Sequence, residues 1–393
     1  MFKNKTILII ALIAVVNALG YGIIIPVLYS YSVKFGLTDF QNGLLFAIFS
    51  LCQFLATPII GRLSDKYGRK PLLIVSLIGT AVSFFMTAFA PSALFLFVAR
   101  ALDGVTAGNI PVAAAVISDS TDVKDRARGF GIIGAAFGFG FVFGPAIAAF
   151  TVGINAAIPF VIAGVISTIA VFITWILLPE TNKHIGQVQH KGKLFDFKKL
   201  ALAVKDQYTG MTLFISFLFS FAFGMFIFGF QPFSVKIMKL SPNEISFIFT
   251  IFGIVGLITQ AFLLGKLTKK FGEKKMFMVS LALTGLAFLG IFVTTTLPFF
   301  IAVSVLLSFG NSFLNPLVQT ILSKETDVQS QGTIQGINAS YISIGMTLGP
   351  IVGGLLATYY IPNPFLAGGV IILLCFILSF KIKLSPKEKE HLF

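Results

Sequence analysis

The chain has 393 residues, 56% hydrophobic and only 11% charged, with a mean hydropathy of +0.94. Soluble domains carry about a quarter of their residues as charges, so this balance excludes an ordinary soluble protein and points to an integral membrane protein. The net charge of +14 would suit a nucleic-acid binder, and only its distribution along the chain can decide.

Apolar runs of about 20 residues, enough to cross a hydrocarbon core of roughly 30 Å, mark membrane spans. They predict twelve, near 6–29, 41–60, 72–90, 93–117, 129–151, 157–178, 209–231, 244–265, 276–296, 298–322, 333–358 and 364–382. An even number puts both chain ends on one face. Connections on that face hold 25 Lys and Arg, those on the other hold Lys34, Lys236 and Lys239, and Arg100 falls inside a span. The positive-inside rule then makes both termini cytoplasmic in a multi-pass plasma-membrane protein, and the net charge reports topology rather than nucleic-acid affinity.

Span one follows Lys3 and Lys5 but is too long for a signal peptide and lacks a small-residue cleavage site, so a retained helix carrying Asn17 is expected. Span two carries Gln53 and runs into GRLSDKYGRK (61–70). There Gly61 and Gly68 would permit a tight reversal, and Asp65 could pair with Arg69 or with the positive end of a neighbouring helix. Positive-inside decoration explains Arg69 and Lys70 but not Asp65.

Span four contains ARALDGVTAGN (99–109). An ionisable side chain at the bilayer centre costs roughly 2.5 to 3.5 kcal/mol, so Arg100 and Asp103 need a partner or water. They are three residues apart on one helix face, with Arg100 about 10 Å below the interface. Arg100 could snorkel; Asp103 is too short. Two readings of Asp103 stay open: a structural ion pair, or a protonatable carboxyl whose charged form burial disfavours and Arg100 favours. Asp119, where the span leaves the bilayer, is a candidate inner relay, and Asn109 a candidate cavity group.

In span five, Gly134, Gly138, Gly140 and Gly144 offer small surfaces for close helix contact and Pro145 removes a donor. The segment KLFDFKKLALAVKDQY (193–208) fits an interfacial helix as well as a solvated linker. The Phe-rich span seven reads as lipid-facing and packing bulk. Further polar groups in apolar surroundings are Gln260 in span eight, Asn311, Asn315 and Gln319 spaced four apart on span ten, and Asn338 and Tyr341 on span eleven. With Asn17, Gln53 and Asn109 these are the candidate lining of a substrate cavity, although amides can equally join helices. Cys52 and Cys375 lie in spans, and His184, His190 and His391 are scattered, so neither a disulfide framework nor a metal site is expected. No ATP-binding motif or hydrolytic triad assembles. The chain reads as no enzyme and without a cofactor, drawing energy from a gradient.

The chain repeats itself at an offset of 204 to 205 residues. GRLSDKYGRK matches GKLTKKFGEK (265–274), ISDSTDVKDRARGFGI (117–132) matches LSKETDVQSQGTIQGI (322–337), and GFVFGPAIAA (140–149) matches GMTLGPIVGG (345–354). The expected fold is an all-α membrane protein of twelve transmembrane helices in two pseudo-symmetric six-helix halves, 1–180 and 209–393, joined by 181–208.

These features resemble the major facilitator superfamily over nearly the whole chain. GRLSDKYGRKPLL fits the family's signature between spans two and three, and Arg100, Gly104 and Gly108 fit Arg-x-x-x-Gly-x-x-x-Gly in span four. GFVFGP is similar to the Gly-x-x-x-Gly-Pro antiporter motif. With PET (179–181), the chain resembles the twelve-helix drug/proton antiporters, most of all the tetracycline/proton antiporters. The resemblance implies alternating access, a state-dependent contact of Asp65 with the opposite half, and a role for Gly140, Gly144 and Pro145 where the halves meet. Tetracycline exporters carry an acid where Asn17 stands and another in the ninth span, where this chain has none, so proton coupling would rest on Asp103 with Arg100. Lys269 and Glu273 replace Asp65 and Arg69 in the second repeat, so a latch there would be weaker or reversed in polarity. The expected function is proton-coupled efflux of hydrophobic drug-like small molecules by a monomer embedded in lipid. An uptake symporter or facilitator of a small metabolite is the alternative, and a non-transport receptor or scaffold the remote one.

Overall fold

The computed structural model describes residues 5–121, 126–183, 185–186, 197–326 and 330–382. Among them every regular element is a helix. Eleven are long and apolar enough to cross a membrane: Lys5–Phe35, Asp39–Tyr67, Arg69–Ala88, Ala93–Ser120, Gly131–Thr151, Ile158–Leu177, Thr209–Lys236, Pro242–Phe271, Glu273–Val293, Leu297–Glu325 and Gln331–Tyr359. The shorter apolar helix Asn363–Ser379 is the twelfth, and the twelve keep the order expected of spans one to twelve. The face holding the chain ends is called the near face below, the other the far face.

Apolarity marks the stretch inside a bilayer, but helical hydrogen bonding continues past it. Span two therefore reaches Tyr67 and span ten reaches Glu325, each beyond the end its hydropathy suggests. This corrects the expectation for Gly61, which lies within helical span two with open space around it. The reversal falls at Gly68 alone, whose φ of 104° is a conformation that side-chain-bearing residues rarely adopt.

Two spans are interrupted. A 3-10 turn at Ala107–Asn109 divides span four, and Pro111, which lacks an N–H, sits in the first turn of the helix that restarts. A π turn at Thr259–Leu263 includes Gln260 in span eight. Among the described residues of the linker, Phe197–Ala203 is helical and the helix ends before 208; 193–196 of the expected element lie outside the described residues. Span seven then starts from Asp206, whose carboxylate accepts from the Thr209 N–H at 2.8 Å and the Tyr208 N–H at 3.0 Å.

The chain forms two compact units. One comprises 1–38, 48–195 and 240–253; the other comprises 39–47, 196–239 and 254–393. The first has an aliphatic core around Ile10, Ile13, Leu73, Leu77, Val112 and Val116. The second is aromatic: Phe230 stacks on Phe300 at 5.2 Å, and Phe233 meets Phe365 edge-on at 5.3 Å. Span seven is consequently buried, with Phe219, Phe226, Phe228, Phe230 and Phe233 nearly inaccessible, and the lipid-facing part of the expectation for it is corrected. Helical periodicity cannot expose this: span seven is apolar on every side, which is the pattern of a helix enclosed by others.

Candidate functional site

Span four begins at Ser92, whose extended backbone and side chain cap the helix by accepting from the Phe95 N–H at 3.4 Å. Two turns on, Arg100 and Asp103 are 3% and 7% exposed. The Arg100 guanidinium donates to the Asp103 carboxylate at 2.6 Å and lies over the Phe49 ring, 4.4 Å from its centroid. Nε of Arg100 has no hydrogen-bond partner. The pair is thus buried rather than snorkelled, and its guanidinium is held on one side by charge and on the other by a ring of span two.

Small residues make this approach possible. A Cβ on Gly104 would run into the Phe49 carbonyl and come within 2.9 Å of Cys52 Cβ, and one on Gly108 would lie 3.0 Å from Ile60 Cδ1. Arg100, Gly104 and Gly108 therefore form the stripe of span four that packs on span two. On its other flank, the Ser76 hydroxyl donates to the Thr106 carbonyl, and the Thr80 and Thr106 hydroxyls meet at 3.1 Å.

At the break in span four, the Asn17 amide donates to Asn109 Oδ1 at 2.9 Å and Gln53 Nε2 donates to the Ala107 carbonyl at 3.1 Å. These three candidates are brought together. Tyr21 lies beside them, with its ring 4.9 Å from Phe49 and 6.5 Å from Phe141. The remaining candidates disperse. Asn338 is buried and accepts from Ser216 at 2.6 Å, while the Tyr341 hydroxyl donates to the Leu200 carbonyl of the linker helix at 2.7 Å. Along span ten, Asn311 is half-buried with Oδ1 lacking a partner, whereas Asn315 and Gln319 are exposed, as is Gln260.

On the near face, Arg69 bridges Asp65 at 2.5 Å and reaches Asp119 at 3.4 Å, and it donates to Ser64 at 2.6 Å. Asp119 thus belongs to a network with Arg69 and Thr181. In the second repeat, Glu273 pairs with Lys324 at 3.1 Å. The repeat alignment equates Arg69 with Glu273 and Asp119 with Lys324, so the same bridge recurs with its charges exchanged.

Gly140, Gly144 and Pro145 pack on span one. Cβ atoms on Gly144 and Gly22 would lie 2.8 Å from Gly22 Cα and Pro145 Cδ respectively. Span eleven repeats the device against span seven, where a Cβ on Gly349 would lie 2.8 Å from Gly224 Cα. In this structure those glycines make close helix contact within one unit, because residues four apart share a face and Ala18 and Gly22 offer the matching hollow.

Two acids stand out that residue-by-residue reading passes over. Glu180 caps span three, accepting from the Arg69 N–H at 3.0 Å and the Lys70 N–H at 3.1 Å, because Gly68 at the cap position has no side chain to do so. Glu325 is buried at the end of span ten and accepts from Thr212 at 3.1 Å. The repeat held a signal for it, since Glu325 aligns with Ser120, a position where the first half carries no charge.

Comparison with known proteins agrees with this architecture. The family model described as Major Facilitator Superfamily matches residues 10–234 and 212–392. Multidrug resistance protein 2 of Bacillus subtilis (strain 168) is 32% identical, covering 99% of this chain and 97% of its own. Tetracycline resistance protein, class H, of Pasteurella multocida is 30% identical, covering 91% and 90%. Among solved structures, a bacterial homolog of the human lysosomal transporter Spinster matches with a TM-score of 0.80 at 19% identity, covering 97% of this chain and 98% of that one.

Proposed function

The chain belongs to the Major Facilitator Superfamily, and from that premise we propose that it exports lipophilic drug-like molecules in exchange for protons, with Asp103 as the carboxyl that binds and releases the proton. The observation that carries this reading is the Arg100 and Asp103 pair, buried in mid-span at 2.6 Å. A buried carboxylate held by one guanidinium is charged while the two touch and favours protonation when they part, so any motion that separates them exchanges a proton. Alternating access supplies such a motion.

Two names support export: relatives called multidrug and tetracycline resistance proteins align over nearly the whole chain. Tyr21, Phe49 and Phe141 beside the Asn17 and Asn109 amides suit a lipophilic substrate bearing few polar groups. The 25 Lys and Arg on the near face argue for cytoplasmic termini in a plasma membrane. Both repeats lie in one chain, so a monomer suffices.

The test is substrate-driven pH change in proteoliposomes. Adding a transported dye should shift the internal pH with wild-type protein, and Asp103→Asn should abolish the shift while leaving dye binding measurable. Full coupling in Asp103→Asn would remove Asp103 from the mechanism.

A further inference from the structure

The first unit has a cavity of about 380 Å³ on its far face, remote from the pair in span four. Val27, Ser30, Tyr31 and Lys34 at the end of span one line it, with residues 152–156 between spans five and six, and Pro242 closes it. Its side chains include no acid, and the Tyr31 hydroxyl is already committed, donating to the Ala88 carbonyl at 3.0 Å. The Lys34 ammonium has no carboxylate within bridging distance among the described residues and rests 5.9 Å from the Tyr31 ring centroid. Ser30 Oγ is buried and lacks a hydrogen-bond partner. Asn155 uses Oδ1 to accept from the Ala157 N–H at 2.9 Å, which leaves its NH2 as the end that can donate.

An unpaired ammonium and an orphaned hydroxyl in one cavity call for an anion with several acceptor oxygens. The surroundings say how that anion is delivered: Ile154 in the lining is 77% exposed, and Phe150, four residues earlier in the chain and outside the lining, is 71% exposed, a surface that suits acyl chains rather than water. We propose that this cavity binds the phosphodiester head group of an anionic glycerophospholipid, its tails lying along Ile154 and Phe150. A zwitterionic choline head group brings a cation toward Lys34 and is disfavoured. The orientation proposed above decides only that the lipid comes from the outer leaflet; the site itself does not depend on drug export or on Asp103.

Native mass spectrometry of protein released from mixed phosphatidylglycerol and phosphatidylcholine nanodiscs reads the retained lipid directly. Wild type should retain phosphatidylglycerol over phosphatidylcholine, and raising salt should reduce that preference. Lys34→Ala should lower retention about fivefold, Lys34→Arg should preserve it, and Ser30→Ala should weaken it further in combination. Lys236→Ala, on the same face but bound to Asp39, should leave retention unchanged. Lys34 is exposed, so its replacement leaves the fold intact. Equal retention of the two lipids, or unchanged retention in Lys34→Ala, overturns the proposal. So does equally tight binding of soluble glycerophosphoglycerol, which would make the ligand a free phosphate ester.

Discussion

Arg100 and Asp103 stabilise each other only as a pair. Removing one member of a buried ion pair leaves an uncompensated charge and typically costs about 3 to 5 kcal/mol, whereas replacing both by apolar groups can be neutral. Arg100→Leu leaves the buried Asp103 carboxylate without the guanidinium that donates to it at 2.6 Å. We expect Arg100→Leu to lower the melting temperature in detergent well below that of Arg100→Leu/Asp103→Leu; equal melting temperatures would mean the pair contributes no mutual stabilisation. This pair was legible in the sequence because both charges stand three residues apart in an apolar run, so their contact is fixed by one helix. The contact of Asn17 with Asn109 spans 92 residues, and the contact of Glu180 with the Arg69 N–H spans 111. Composition marks such residues as candidates and cannot say which of them meet. That is why Asn17, Gln53 and Asn109 assemble while Asn338 and Tyr341 turn out to be engaged elsewhere.

Helices in this chain are joined by what is missing from glycine as much as by what other side chains supply. A valine at Gly144 would drive its branches into Gly22 and the Leu19 carbonyl, separating spans one and five along their whole contact. Gly134 lies on the same span with nothing within 4 Å of its would-be Cβ, so Gly134→Ala adds helix propensity at no steric cost. We expect Gly144→Val to abolish a monodisperse peak in size-exclusion chromatography and Gly134→Ala to keep or raise the melting temperature. The start of span seven depends on a charge instead. Hydrogen bonds, first that from the Thr209 N–H, hold the Asp206 carboxyl below its ordinary value of 3.8. Because the folded value is the lower one, the cap contributes fully above about pH 4 and is lost as pH falls through the lowered value. Hydrogen exchange at the first turn of span seven, corrected for intrinsic rates, should accelerate in that acid window in wild type and show no such step in Asp206→Asn. Element order and type were legible from twelve apolar runs; the lengths were not, because Arg62, Asp65 and Lys66 continue the helix of span two in water where hydropathy falls silent.

At the scale of the whole molecule, the division into two units does not follow the repeats. Residues 39–47, which begin span two, group with spans seven and eleven, and residues 240–253, which begin span eight, group with span five. Contacts at these two seams are close. Lys236 donates to both oxygens of Asp39 at 2.9 and 2.8 Å, and a Cβ on Gly354 would lie 3.2 Å from Gly43 Cα. Asn243 donates to the Ala149 carbonyl at 2.8 Å, and a Cβ on Gly253 would lie 2.9 Å from Val142 Cα. Each of these contacts joins a helix of one repeat to a helix of the other, from the far face (Asp39, Lys236, Asn243) to mid-span (Val142, Gly253), so an opening toward the far face would have to break them. The ion pair is half in solvent, with side-chain exposures of 44% for Lys236 and 13% for Asp39, so its contribution is modest, of order 1 kcal/mol and salt-sensitive. That is still enough to shift a balanced equilibrium about fivefold. We expect Lys236→Asp, which opposes two carboxylates, to enlarge the long-distance population between spin labels at the exposed positions Val33 and Tyr359, and Asp39→Lys/Lys236→Asp to return it toward wild type. Raising salt should narrow the difference between the single variant and the swap. A distance distribution indifferent to charge reversal would show that the glycine seams alone hold the far face together.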